Sequence, residues 1–136
     1  LDCPYTLTLL EGEDLAGLDR KLWSNALTGD CPERDVLGFG AYEGEKLVGL
    51  AACSADCDTM WQIGIDVLPD HRRQGVAAAL TSRLSVLERG RVPFYCAAWS
   101  NLPSVRNAIK SGFRPAWVEM TAKPAGLVAK LNGEKP

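Results

Sequence analysis

The stretch Ile65 to Leu84, IDVLPDHRRQGVAAALTSRL, constrains the fold more than any other part of the chain. It opens as a buried strand, breaks at Pro69, passes through charged residues and enters an alanine-rich helix directly after Gly75. A helix start favours acidic side chains, because its first amides are unpaired and its dipole end is positive. Arg72 and Arg73 at that end are unfavourable unless an anion sits between them. A strand, a glycine loop and a helix in this order aim backbone N–H groups at such an anion. Gly75 removes a Cβ where a phosphate would approach, and Ala77 keeps the first turn narrow. The stretch therefore reads as a phosphate site, with a solvated basic turn as the alternative. The loop carries neither G-x-x-x-x-G-K-[ST] nor G-x-G-x-x-G, so it is neither a P-loop nor a dinucleotide fingerprint.

The rest of the chain arranges itself around this pivot. YTLTLL, residues 5–10, alternates as a strand does. Leu15, Leu18, Leu22, Ala26 and Leu27 recur at helical spacing and predict one helix over that span. Two β-rich runs, VLGFGAY and LVGLAACS, flank the charged turn EGEK and predict a hairpin. TMWQIGIDVLP is apolar enough to lie inside a sheet. Val76, Ala79, Leu80, Leu84 and Leu87 mark one face of a helix running from Gly75 to Glu88. VPFYCAAW reads as a strand, and NLPSVRNAIKSGF as a short helix with Pro103 in its first turn and Gly112 stopping it. AWVEMTAK predicts another strand, and Leu127 to Leu131 a last one. The order implies a mixed α/β sheet with a crossover after the central strand.

Composition excludes several functions. The 136 residues suit one domain with a single core. A net charge of −2 gives no general electrostatic footprint for nucleic acid or an anionic membrane. No apolar run approaches the roughly 20 residues that span a bilayer, and no signal peptide is visible, so a cytoplasmic protein is expected. The chain opens at Leu1 rather than Met, as a C-terminal piece of a longer protein would. Five cysteines at irregular spacing do not form a secreted disulfide framework. Cys53 and Cys57 raise the question of a metal or redox module, but no second pair follows, and the only histidine, His71, lies in the arginine loop. Zinc takes four such ligands, so the reading is reduced, half-buried structural thiols and no metal.

Arg72-Arg73-Gln74-Gly75-Val76-Ala77, preceded by Val67-Leu68-Pro69, resembles the acyl-CoA pyrophosphate loop of the GNAT superfamily of N-acetyltransferases, Q/R-x-x-G-x-G/A at the start of the helix after the fourth strand. Asn101, Ser104 and the closing Gly112-Phe113 resemble the superfamily's later motif, one helix and one strand further on. The two motifs cover Thr59 to Phe113, and the preceding hairpin fits the family's second and third strands. The first third matches only in its strand–helix order and is short of one helix.

The resemblance implies a mixed, mostly antiparallel sheet, flanked by helices, with a splayed parallel strand pair at the cofactor site and one domain over residues 1–136. It implies acetyl-CoA as acyl donor. Backbone groups of Ile65, Asp66 and Val67 would pair with the pantetheine, and amides of Arg73, Gln74, Gly75, Val76 and Ala77 would hold the pyrophosphate. Arg72 or Arg73 would meet the adenosine 3′-phosphate, and Asn101, Ser104 and Asn107 would line the far side. Asn101 also suits a helix cap. The reaction would be direct attack of a neutral amine on the thioester, which needs a base, oxyanion donors and an acid for the leaving thiolate.

Here the chain departs from the family pattern. Gln62 stands where many members carry a glutamate base, and Ala108 where many carry a tyrosine acid. Tyr95 and Ser100 are the candidate replacements for the acid, although Tyr95 also reads as a core tyrosine with a satisfied hydroxyl. Asp66 and Glu43 are candidate bases, with Glu43 also reading as a solvated surface residue. His71 has a suitable side chain, but its place beside the phosphate loop argues against it. Trp61, Trp99 and Trp117 would either line an aromatic acceptor pocket or pack between sheet and helix. The expected function is acetylation of a primary amine on a small molecule or peptide. A non-catalytic acyl-CoA-sensing module is the alternative, and a homodimer through sheet edges or late strands is compatible with either.

Overall fold

The hairpin expected around the EGEK turn organises the sheet. The computed structural model describes residues 1–84 and 86–131. Strands β1 (Thr6–Glu11), β2 (Asp35–Glu43), β3 (Lys46–Ser54), β4 (Met60–Val67) and β5 (Val92–Tyr95) lie side by side in chain order. The first three pairings are antiparallel, and β4 with β5 is parallel. Gly44, at φ 61°, opens the tight connection between Glu43 and its partner Lys46. Helices are α1 (Glu13–Ala16), α2 (Val76–Arg83), α3 (Leu102–Lys110) and α4 (Ala125–Leu131). The chain crosses from β4 to β5 through α2, as a parallel pair requires.

Alternation along β3 divides the core into two layers. Ala51 and Cys53 face α2, where Val76, Leu80, Leu84 and Val86 close over Leu37, Ala41 and Ile63. Leu50 and Ala52 face the opposite layer, built from Leu10, Leu15, Trp23, Ala26 and Leu27. Contact with α2 is closest at Gly49, where a Cβ would come within 2.8 Å of Val76 Cγ1. That approach holds the start of α2 hard against the sheet, and with it the arginine loop.

Several local expectations are corrected. The helix predicted from Leu15 to Leu27 stops after Ala16, and isolated turns follow. A new turn starts at Asp19, whose Oδ1 accepts the amides of Lys21 and Leu22 as an N-cap does and whose carbonyl accepts the Trp23 amide. The register shifts accordingly, leaving Leu22 52% exposed and Trp23 only 3% exposed. The helix expected to reach Glu88 ends at Arg83, and a 3₁₀ turn at Leu87–Arg89 leaves Leu87 in solvent. The VPFYCAAW strand ends at Tyr95. AWVEMTAK forms no strand. Beside it, β5 is four residues long and contains Pro93, which cannot donate, so it offers little edge for a further partner. The expected last strand is instead α4, which starts after Pro124 and includes the strong helix formers Ala125 and Ala129. Cys53 is buried and Cys3 and Cys31 partly so, whereas Cys57 and Cys96 are exposed, so not all the thiols are structural.

Candidate active site

The parallel pairing of β4 with β5 runs from Met60↔Val92 to Ile63↔Tyr95 and stops there. β4 continues, still bonded to β3 through Val67↔Gly49. Gly64 to Val67 thus keep a partner on one edge and face a gap on the other. A cleft of about 1360 Å³ opens at this gap, larger than the roughly 300–1,000 Å³ of drug-sized ligand sites. Its walls are Gly64–Val67, the turn into α2 at Arg72, Arg73 and Gly75–Ala78 but not Gln74, the run after β5 with one face of α3, and the segment Ser24–Cys31.

The turn into α2 has the geometry that an anion site needs. Gly75 is the residue before the helix, in the left-handed region at φ 81°, and no side chain caps the first turn. Arg73 is also left-handed at φ 61°, a conformation that costs a non-glycine residue on the order of 1–2 kcal/mol. Arg72 donates from Nε to the Val67 carbonyl at 2.9 Å, which ties the turn to the end of β4. Arg73 is exposed and has no ion pair among the described residues. The Gln74 side chain is held outside the turn: its Oε1 accepts from the Tyr5 hydroxyl at 2.8 Å. Arg106 and Lys110 also line the cleft. They lie four apart on α3, a spacing visible in the sequence but not used there.

Across the gap, Asn101 caps α3 by accepting the Ser104 amide at 3.3 Å, and it also lines the cleft. The Ser104 hydroxyl lies 3.1 Å from the Tyr95 hydroxyl. Asn107 Nδ2 donates to Tyr95 Oη at 3.2 Å and to Thr81 Oγ1 at 3.1 Å. Tyr95 is therefore a satisfied tyrosine that also faces the cleft, at the last paired position of β5. Thr81 had no sequence signal, because its partner is 26 residues away. Gln62 lines the cleft, while Ser100 and Ala108 are not among its lining residues.

The candidate bases are placed differently from expectation. Asp66 lines the cleft, but both of its oxygens accept hydrogen bonds from Asn25 and Ala26. Glu43 lies outside the cleft, with Oε2 3.2 Å from His71 Nε2. His71 is buried against the Tyr5 ring, at the foot of the arginine turn. None of Trp61, Trp99 and Trp117 lines the cleft, which corrects the aromatic-pocket reading. Trp61 packs on the core with the Arg91 guanidinium 5.9 Å from its ring, Trp117 stacks on Phe94, and Trp99 is 84% exposed.

Charge is unevenly spread along the cleft. Arg72 and Arg73 follow the end of β4, whereas near the start of that strand Asp56 bonds to Ser54, the partner of Gln62, and pairs with Arg34 at 3.8 Å. Gln62 and Val67 are five residues apart, on the order of 16 Å in a strand. Asp30 and Asp66 are the other carboxylates of the lining. Among the described residues, no group of three or more His, Cys, Asp or Glu is placed to hold a metal ion.

Residues 3–116 match the family model described as GNAT acetyltransferase. Comparison with curated proteins gives no match. Several solved structures share the fold. One is the aminoglycoside N-acetyltransferase AAC(6')-Iy in complex with CoA, 19% identical over 92% of this chain and 97% of that one, with a TM-score of 0.61. A GCN5-related N-acetyltransferase-like protein from Streptococcus suis is 24% identical over 79% of this chain and 45% of its own, with a TM-score of 0.57. An aminoglycoside acetyltransferase from an uncultured soil metagenomic sample, in complex with sisomicin, is 15% identical over 88% and 95%, with a TM-score of 0.59.

Proposed function

Because the chain belongs to the GNAT acetyltransferase family, we propose that it transfers the acetyl group of acetyl-CoA to a primary amine by direct attack. The observation that carries this reading is the end of β4–β5 pairing at Ile63 and Tyr95, beside a cleft that reaches the uncapped start of α2. The pantetheine arm lies along β4 at Ile65, Asp66 and Val67, completing the sheet where β5 diverges, with the Val67 carbonyl already held by Arg72. Amides of Arg73 to Ala77 take the pyrophosphate, and Arg73, Arg106 and Lys110 supply positive charge around the phosphates.

The amine nitrogen attacks the thioester carbonyl carbon, the C–S bond breaks, and the sulfur leaves as a thiolate. Tyr95 is the proton donor in this reading, since its hydroxyl faces the cleft and is bonded to Ser104 and Asn107. The proton lost by the amine passes to water, which Gln62 can hold by hydrogen bonding but cannot deprotonate. Positioning supplies most of the rate in such a scheme.

Asp30 supports a cationic acceptor, and two of the structures that share the fold are aminoglycoside acetyltransferases. The free cysteines support a reducing compartment, hence a cytoplasmic protein. Exposed Trp99, Val118 and Met120 supply an apolar surface that a second copy would cover in a homodimer. A second reading, an acyl-CoA-binding module without turnover, is favoured by Gln62 and Ala108 at the positions of the usual base and acid. Calorimetric titration with acetyl-CoA and CoA, paired with thiol release in the presence of sisomicin and spermidine, separates the two. Binding with thiol release supports the enzyme, binding without it supports the sensor, and no binding removes both.

A further inference from the structure

The segment Ser24–Cys31 crosses one face of β4, and the crossing is held at two points. At Gly64 the backbones nearly touch: a Cβ there would lie 1.8 Å from the Asn25 carbonyl oxygen and 3.0 Å from Ala26 Cα. Two residues further on, and so on the same face, Asp66 reaches up to the same segment. Its Oδ2 accepts the amides of Asn25 at 2.8 Å and Ala26 at 2.9 Å, and its Oδ1 accepts Asn25 Nδ2 at 2.6 Å. The far end is fastened separately. Asp35 on β2 accepts the Thr28 amide at 3.1 Å and pairs with Arg20, which also donates to the Thr28 carbonyl at 2.6 Å.

From this geometry we infer that Asp66 is a positioning residue for the acceptor side of the reaction. The inference rests on reading the free edge of β4 as the cofactor edge. Ser24–Cys31 then forms the wall facing the thioester, and its height over β4 sets how closely an amine approaches the carbonyl carbon. Asp66 sets that height from the strand that binds the cofactor. One strand thus couples the two substrates: Ile65 and Val67, on either side of Asp66, turn their backbone groups to the cofactor edge, while the Asp66 carboxylate holds the acceptor wall. Gly64 is the complementary requirement, since any side chain there would lift the wall away. The carboxylate is engaged in this task, so Asp66 is not the base.

The test compares Asp66→Asn with Asp66→Glu, Asn25→Ala and the wild type in the full chain. Asp66→Asn keeps the side-chain size but can turn an NH₂ group toward two amide donors. Amide hydrogen exchange at Asn25 and Ala26 should quicken about tenfold, with exchange in β2 and β3 unchanged, because only a local opening is made easier. CoA affinity by calorimetry should stay within about twofold, while KM for sisomicin or spermidine rises roughly tenfold and KM for acetyl-CoA does not. Asn25→Ala, which removes one of the three bonds, should fall between, and Asp66→Glu should restore part of the exchange protection. Unchanged exchange at Asn25 and Ala26 overturns the inference. So does a loss of CoA affinity in step with it, which would place the effect on β4 itself. If the wild type fails to bind CoA or to acetylate either amine, the acetyl-transfer reading is what fails, and the exchange data still decide whether Asp66 fastens the segment.

Discussion

Asn107 donates to the hydroxyls of both Thr81 and Tyr95, at 3.1 and 3.2 Å, and so joins α3 to α2 and to β5 at the point where the sheet opens. The two elements that border the gap are spaced by one side-chain amide. Asn107→Ala leaves both hydroxyls short of a donor, which should lower stability by about 1–2 kcal/mol in urea unfolding. CoA affinity should fall with it, by roughly tenfold, since α3 loses its register against the cleft. A stability loss without any loss of affinity would confine Asn107 to the fold.

Gly75 separates conformation from charge at the turn into α2. Its φ of 81° makes Gly75→Ala destabilising by about 1 kcal/mol, visible as a lowered Tm. Gly75→Glu adds a negative side chain at the same place and should abolish CoA binding by calorimetry. Unaltered binding in the glutamate variant would remove the turn from the cofactor site.

Tyr95→Phe tests the proton donor. Thiol release should drop by about a hundredfold while CoA affinity changes little, as removal of a general acid predicts. A rate within about threefold of wild type would assign the proton to water.

Asp35 is buried, and Arg20 is mostly so. Asp35→Ala strands a guanidinium that already has one buried nitrogen without a partner, and it should cost about 3–5 kcal/mol in urea unfolding. A double replacement of Arg20 and Asp35 by leucine should recover part of that loss, because no charge is then left unpaired.

The thiols should differ sharply in alkylation by iodoacetamide. Hydrogen bonds from the Thr59 amide and hydroxyl and the Met60 amide hold the exposed Cys57 thiol below its ordinary range, so it should react at lower pH than an ordinary free thiol. Burial pushes Cys53 up to about 12, leaving it unreactive until the chain unfolds. The sign for stability follows: with its folded value raised, Cys53 contributes fully below the ordinary thiol range, and that contribution is lost as pH rises toward 12. Site-resolved mass spectrometry across pH reads the reactivities directly.

The sequence by itself determined the parts whose conformation is local. Gly75 before an alanine-rich run, Asn101 three residues before Ser104, and two β-runs around EGEK each carry their backbone preference within a few residues. The glycine turn into α2, the α3 cap and the hairpin were therefore legible. The strand order followed from the hairpin and from the need for a helix between parallel neighbours. Where a pattern needed a distant partner to become structure, only the tertiary fold decided. AWVEMTAK alternates like a strand, but β5 offers it no usable edge. Leu22 keeps the helical spacing, yet a new turn capped by Asp19 leaves it exposed and buries Trp23 in its place. The wall of the cleft shows the same limit most clearly. Asp66 meets the amides of Asn25 and Ala26 across 41 and 40 residues. A carboxylate in a sequence does not announce which backbone amides it will hold. That depends on two chain segments crossing at one glycine, and the crossing exists only in the folded sheet.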